Sequence, residues 1–138
     1  MEAGKGSLGT GDVKLDRLFV YGTLRPAGHA FHLVEPVVIR HQPAVLTGYR
    51  LVGEGHRYPW CVESPAGEVV GELLWLAETE ATLPLLDAYE GVEEERPEYC
   101  RVVRDVATGQ EIIPAWVYVG GMGVPTDAGA IDTGDWSI

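Results

Sequence analysis

Basic side chains are scarce in this sequence: 10 Lys and Arg stand against 21 Asp and Glu, for a formal charge of −11 at pH 7. Nucleic-acid binding rests on clustered Lys and Arg, so the balance argues against a nucleic-acid partner and speaks for solubility instead. Cysteine is equally sparse. Cys61 and Cys100 are too few for a disulfide framework and their separation matches no compact zinc pattern, so both read as buried thiols. No apolar run approaches the roughly 20 residues of a membrane span. The opening Met1-Glu2-Ala3-Gly4-Lys5-Gly6-Ser7 lacks the apolar stretch of a signal peptide, which predicts a cytoplasmic chain with no membrane attachment. Ser7, Ser64 and Ser137 lack the strand-turn-helix setting of a nucleophile elbow, so serine hydrolase chemistry is disfavoured. No internal repeat is visible.

What is present is a 46% hydrophobic chain of 138 residues, enough for one apolar core and too short for two ordinary domains. Residues 1–14, rich in Gly and poor in apolar anchors, read as a flexible N-terminal arm, and residues 15–138 as a single domain. Leu18-Phe19-Val20-Tyr21 is a buried-strand pattern stopped by Gly22. Further strands are predicted over Ala44–Val52, Val69–Leu76, Cys100–Val106 and Ile112–Val119, with a hairpin turn at Thr108-Gly109. The pattern predicts a largely antiparallel sheet or barrel. One short helix is predicted from Thr82 to Glu90, with Thr82 as N-cap, Pro84 in the first turn and Gly91 as the stop. The tail from Gly120 to Gly134 reads as loop, with Trp136 and Ile138 free to fold back on the domain.

Two places could carry chemistry. In Tyr21-Gly22-Thr23-Leu24, a glycine directly after a buried strand lets the backbone approach a ligand, and successive N–H groups in such a turn can hold an anion. An ordinary turn is the alternative. In the helix, Leu83, Leu86 and Glu90 stand at i, i+3 and i+7, so a carboxyl shares the face that carries leucines inward. Burial would raise its pKa toward the range useful for proton transfer, whereas a helix end pointing into solvent would leave it ordinary. The run Glu93-Glu94-Glu95 lacks the ligand pattern of a calcium loop, and His29 with His32 lacks a third ligand, so no metal site is read. Tyr58-Pro59-Trp60-Cys61 reads as a loop into the core whose rings pack or line a pocket.

In order along the chain, Val20-Tyr21-Gly22-Thr23-Leu24, Tyr58-Pro59, Val70-Gly71-Glu72-Leu73, Leu86-Asp87-Ala88-Tyr89-Glu90-Gly91, Tyr99-Cys100-Arg101-Val102, Ala115-Trp116-Val117-Tyr118 and Gly134-Asp135-Trp136 resemble the gamma-glutamyl cyclotransferase-like superfamily. They are most similar to its gamma-glutamylamine cyclotransferase, avirulence-induced-gene-like branch, because Thr23-Leu24 stands where other branches carry Ser-Asn. The resemblance implies an α+β fold, a small mixed, mostly antiparallel β-barrel with flanking short helices. It implies release of 5-oxoproline and a free amine from a gamma-glutamyl amine or related gamma-glutamyl compound, with Glu90 catalytic and Tyr21, Gly22, Thr23 and Leu24 holding substrate. Such an internal acyl transfer requires no metal or organic cofactor. A non-catalytic binding module for a gamma-glutamyl or amino-acid ligand is the alternative on the same fold. A gamma-glutamyl adduct of a biosynthetic pathway, as in butirosin-type relatives, is a further possible substrate. The oligomeric state is not legible.

Overall fold

A computed structural model describes residues 15–136; the expected arm over residues 1–14, together with Ser137 and Ile138, lies outside them. β1 (Arg17–Val20) leads through two short 3-10 turns, Phe31–Leu33 and Glu35–Val37, into a long ribbon made of β2 (Val38–Glu54) and β3 (Trp60–Leu76). The helix α1 (Thr79–Glu90) follows, then the hairpin β4 (Tyr99–Thr108) and β5 (Glu111–Gly120), and finally β6 (Gly129–Ile131). The strands lie in the order β3-β1-β5-β4-β2-β6, and an additional β2–β3 pairing closes β3, β1, β5, β4 and β2 into a ring. Among the strands of the described residues, β1 and β5 alone run parallel, with Leu18 opposite Trp116 and Phe19 opposite Val117. The small, mixed, mostly antiparallel barrel with short flanking helices is thus the architecture the sequence predicts.

Side-chain alternation builds two apolar layers from the same strands. Phe19 and Tyr21 of the first strand region, Cys61, Val69 and Leu73 of β3, and Ala115, Val117 and Val119 of β5 pack together in one cluster. The intervening Leu18, Val20, Trp60, Leu74, Leu76 and Tyr118 join Leu86 of α1 in a second. A register shift between Thr47 and Tyr49, with Gly48 at φ 85°, bends β2 so that its length follows the ring. The hairpin turns on Gly109 at φ 60°, since Thr108 pairs with Glu111 across a two-residue loop.

The elements differ from expectation mainly at their ends. The expected strand Val69–Leu76 is the second half of β3, which begins at Trp60, so Trp60 and Cys61 belong to a strand and not to a loop. The tail read as loop contributes β6, paired with β2 through Leu51 and Ile131. The helix begins at Thr79, so Thr82 is buried inside it and Pro84 occupies its second turn. The N-cap position is Glu78 in the left-handed conformation, without a side-chain cap bond, and the Thr79 hydroxyl donates back to the Leu76 carbonyl at 3.4 Å. Of the two thiols, Cys61 is buried while Cys100 is only half-buried, beside the second glycine of Gly120-Gly121.

Gly71 shows how tightly the ring is drawn. A Cβ placed there would stand 2.1 Å from the Val20 carbonyl oxygen and 2.9 Å from Phe19 Cζ, at the strand that ends in the Tyr21–Leu24 turn. Backbone cannot yield as a flexible side chain can. We therefore expect Gly71→Ala to lower stability by about 2–3 kcal/mol in urea unfolding, whereas Gly48→Ala, whose Cβ meets nothing within 4 Å, should cost only the strain of its positive φ.

Candidate active site

The helix stop determines where Glu90 sits. Gly91 takes the left-handed conformation (φ 70°, ψ 34°), its N–H donates to the Ala88 carbonyl at 3.3 Å, and the Val92 N–H donates to the Asp87 carbonyl at 3.1 Å. This is the paired bonding of a Schellman end, which only glycine enters without steric cost. Val92 packs into the layer that holds Leu86, so the chain after the helix is anchored. Glu90 is left at the last helical position with its side chain half-buried.

Its surroundings are a cavity of about 260 Å³ walled by Tyr21–Leu24, Tyr58, Pro59, Tyr89–Gly91, Tyr99 and Tyr118. The turn after β1 and the end of α1, some 66 residues apart in sequence, meet here, and the Thr23 hydroxyl lies 3.2 Å from the Tyr89 hydroxyl. Glu90 has no hydrogen-bond or ion-pair partner among the described residues, and burial pushes its carboxyl from 4.5 up to about 8. The group is a neutral acid at neutral pH with its ionisation within easy reach.

The tyrosines around it serve different ends. Tyr21 is buried; its hydroxyl donates to the Tyr118 carbonyl at 2.5 Å and accepts from the Cys61 N–H at 3.3 Å, so its proton is already engaged within the protein. Tyr99 donates to the Pro59 carbonyl at 2.6 Å. Burial first, and the charge of Glu90 among nearby groups, hold both phenols well above their ordinary pKa, so they are permanent hydrogen-bond donors here. Burial also pushes the Cys61 thiol up to about 12, which removes it as a nucleophile.

Gly22 does not adopt a positive φ. Its bare Cα has another use: a Cβ there would press on the Pro59 ring at 3.1 Å, so the glycine lets Pro59 close against the turn. The Gly22 carbonyl accepts from Arg25 N–H at 3.1 Å and the Thr23 carbonyl from Ala30 N–H at 2.9 Å. The N–H groups of Gly22, Thr23 and Leu24 take no part in the turn and loop bonds of the described residues. Directly after them, Arg25 fixes the turn from outside, with a two-point bond to Glu72 (2.7 and 3.1 Å) and a 2.7 Å contact to Asp135.

A second ion pair fixes the helix. Asp87, one turn before Glu90, takes a two-point bond from Arg101 (2.8 and 3.0 Å) and the Tyr118 hydroxyl at 2.7 Å. Arg101 in turn covers the Trp116 ring at 4.3 Å. Burial alone would raise the Asp87 carboxyl, but the bonds from Arg101 and Tyr118 outweigh it and hold the group below its ordinary value. Helix, β4 and β5 are thereby tied through one carboxylate, and Tyr118 passes the tie on to Tyr21 through its own carbonyl. Sequence reasoning left Tyr58 open between packing and lining a pocket and assigned no role to Asp87, Arg101, Tyr99 or Tyr118; the one signal for these was their presence in the family motifs.

Fold and site together define a small mixed barrel with a cavity lined by a desolvated carboxyl and a backbone turn. The chain belongs to the family described as gamma-glutamyl cyclotransferase, AIG2-like, whose model matches residues 18–138. Among solved structures it is similar to YkqA from Bacillus subtilis (26% identity, TM-score 0.67), covering 89% of this chain but only 40% of that one. It is also similar to an Arabidopsis thaliana protein solved in solution (29% identity, TM-score 0.63, 95% of this chain and 74% of that one). An AIG2-like protein from Mus musculus shares the fold at 22% identity and TM-score 0.62, over 83% of this chain and 82% of that one. Among curated proteins none matches. No helix among the described residues is long and apolar enough to cross a membrane.

Two stability outcomes follow from the carboxyls. Folded Glu90 keeps its proton to about pH 8 while the unfolded chain releases it near 4.5, so wild-type stability should fall as pH rises across that window. Glu90→Gln should match wild type near pH 4 and exceed it by about 2 kcal/mol at pH 9, the shift being discounted for partial solvent screening, in urea unfolding across pH. Asp87→Asn should behave oppositely, costing about 2 kcal/mol at neutral pH because Arg101 is left half-buried without its charge partner. Its deficit should shrink as pH falls below the ordinary carboxylate range, where wild-type Asp87 is itself protonated.

Proposed function

We propose that the protein is a gamma-glutamyl cyclotransferase that releases 5-oxoproline and a free amine from a gamma-glutamyl amine, with residues 15–138 as its catalytic domain. The observation that carries this is Glu90: a carboxyl held without a partner among the described residues at the end of a helix, in a cavity that the Gly22–Leu24 turn also lines. Cyclisation brings the substrate's own α-amine onto its γ-carbonyl carbon, forming one C–N bond while the amide C–N bond to the departing amine breaks. The enzyme must take a proton from the α-ammonium and return it to the leaving nitrogen. One carboxyl with a raised pKa performs both steps in turn. The unengaged N–H groups of Gly22, Thr23 and Leu24 are the donors available to the substrate's carboxylate or to the carbonyl oxygen as it gains charge. Membership of the family and the barrel fold support the same reading.

Glu90→Gln preserves shape and deletes the proton acceptor, so 5-oxoproline release from gamma-glutamyl amines should drop about 10²–10⁴-fold. Binding should survive. In wild type, kcat/KM should rise with pH through about 8, where the free enzyme's Glu90 ionises. The inflection in kcat should lie lower, because a bound ammonium favours the carboxylate. Full activity in the variant would refute the assignment of Glu90, and tight binding without turnover in wild type would make the domain a binding module.

A further inference from the structure

Two of the sequence motifs supply no wall to the cavity: Val70-Gly71-Glu72-Leu73 on β3 and Gly134-Asp135-Trp136 in the tail. The structure brings both onto Arg25, the residue directly after the Tyr21–Leu24 turn. Its Nε and Nη2 donate to the two Glu72 carboxylate oxygens at 2.7 and 3.1 Å, and its Nη1 donates to Asp135 at 2.7 Å and to the Trp136 carbonyl at 3.4 Å. Each anchor is itself fixed. Glu72 lies opposite Val20 of β1 and Pro43 of β2, so its backbone is held on both sides. The tail is laid along β3 by the Val70 N–H, which donates to the Gly134 carbonyl at 2.7 Å, and by Trp136, which packs against the layer of Phe19 and Tyr21. Gly134 takes φ 69°, and a Cβ there would stand 2.5 Å from the Glu68 carbonyl oxygen, so only glycine lets the tail come this close. The Asp135 N–H donates to the Thr133 hydroxyl at 3.2 Å, which shapes the tail where Arg25 meets it.

Arg25 also closes the turn with its backbone: its N–H donates to the Gly22 carbonyl at 3.1 Å, and its carbonyl accepts from the Gly28 N–H at 2.6 Å. A side chain gripped from two directions therefore fixes the backbone on which the Gly22, Thr23 and Leu24 N–H groups stand. We propose, resting on the cyclotransferase reading above, that Arg25, Glu72 and Asp135 are positioning residues of the reaction: β3 and the tail grip the arginine, and the arginine holds the turn in the geometry its N–H groups need at the reacting carbonyl. None of the three lines the cavity, so they act through the turn and not on the substrate. Donors oriented beforehand need no reorganisation when charge develops on the carbonyl oxygen, and a displacement of about 1 Å caused by a residue away from the chemistry costs a large part of the rate. The planar fork of arginine is what permits the grip from two sides, and lysine supplies charge without it.

Asp135 is 51% exposed and its removal leaves Glu72 in place, so in Asp135→Ala kcat/KM for 5-oxoproline release from gamma-glutamyl butylamide should fall about tenfold. Asp135→Asn keeps an oxygen for Nη1 and should recover most of that loss. Arg25→Lys should lose about 10²-fold. In each variant the inflection of kcat/KM with pH should stay at about 8, because the surroundings of Glu90 are untouched, whereas a general loosening of the fold would move it. Amide nitrogen relaxation supplies a readout without turnover: the order parameters of Gly22, Thr23 and Leu24 should fall in Asp135→Ala and Arg25→Lys, and that of Val117 in β5 should not. Unchanged rates, rates that fall while the turn amides stay ordered, a moved inflection, or equal losses in the Ala and Asn variants would overturn the positioning role and leave the cyclotransferase standing. Turn amides that loosen in the variants of a protein whose wild type releases no 5-oxoproline would overturn the enzyme and keep the grip as the device that orders a binding turn.

Discussion

β1 is bonded along both edges, antiparallel to β3 and parallel to β5, and three of its four residues are buried. It joins β3 to β5 within the ring that the β2–β3 pairing closes, and its β3 edge passes Gly71, where backbone meets backbone without room for a methyl group. The Tyr21–Leu24 turn inherits that rigidity. A turn whose amides are proposed to meet a charged ligand gains from being ordered beforehand, because ordering it at each encounter would consume the interaction it offers. Here the order is supplied by folding: the strand behind it, the Arg25 bonds to Glu72 and Asp135 beside it, and the Tyr21 hydroxyl beneath it.

Against this fixed wall the structure holds one carboxyl in conditions that oppose its charge. Two acids on one helix end have opposite fates three residues apart. Asp87 meets Arg101 and Tyr118 and is held as a carboxylate, while Glu90 meets neither and is held as an acid. The difference is the partner, since both are only partly accessible. The first fixes the helix and the second is left available, and the Schellman end at Gly91 keeps the second from swinging away. In the proposed reaction this separates a charge that holds the helix from a proton that moves.

Much of this was legible in the residues. Alternation along Leu18–Tyr21 and Ile112–Val119 marked the strands, and Gly109 and Gly91 marked a hairpin and a helix end, because each signal is local and depends on backbone geometry alone. The i, i+3, i+7 spacing of Leu83, Leu86 and Glu90 set the carboxyl on the inward face. The boundaries that failed did so where a tertiary contact overrides propensity. Trp60 and Cys61 follow Pro59 and look like loop until β2 pairs with them, and α1 begins at Thr79, with two residues between it and the end of β3 at Leu76.

The sequence by itself determined which groups are available: a glycine after a strand, a glutamate on an apolar helix face, and a family pattern linking them across the chain. What tertiary structure alone decided is their environment. Whether Glu90 titrates near 4.5 or near 8 depends on how much water reaches it, and the cavity around it is walled by residues such as Tyr21, Tyr99 and Tyr118 that are distant in sequence. Likewise, the role of Gly22 changed from a residue freeing φ to one leaving room for Pro59, a neighbour that no local window contains. Desolvation and close packing are properties of a surrounding volume, and only the closed ring creates that volume.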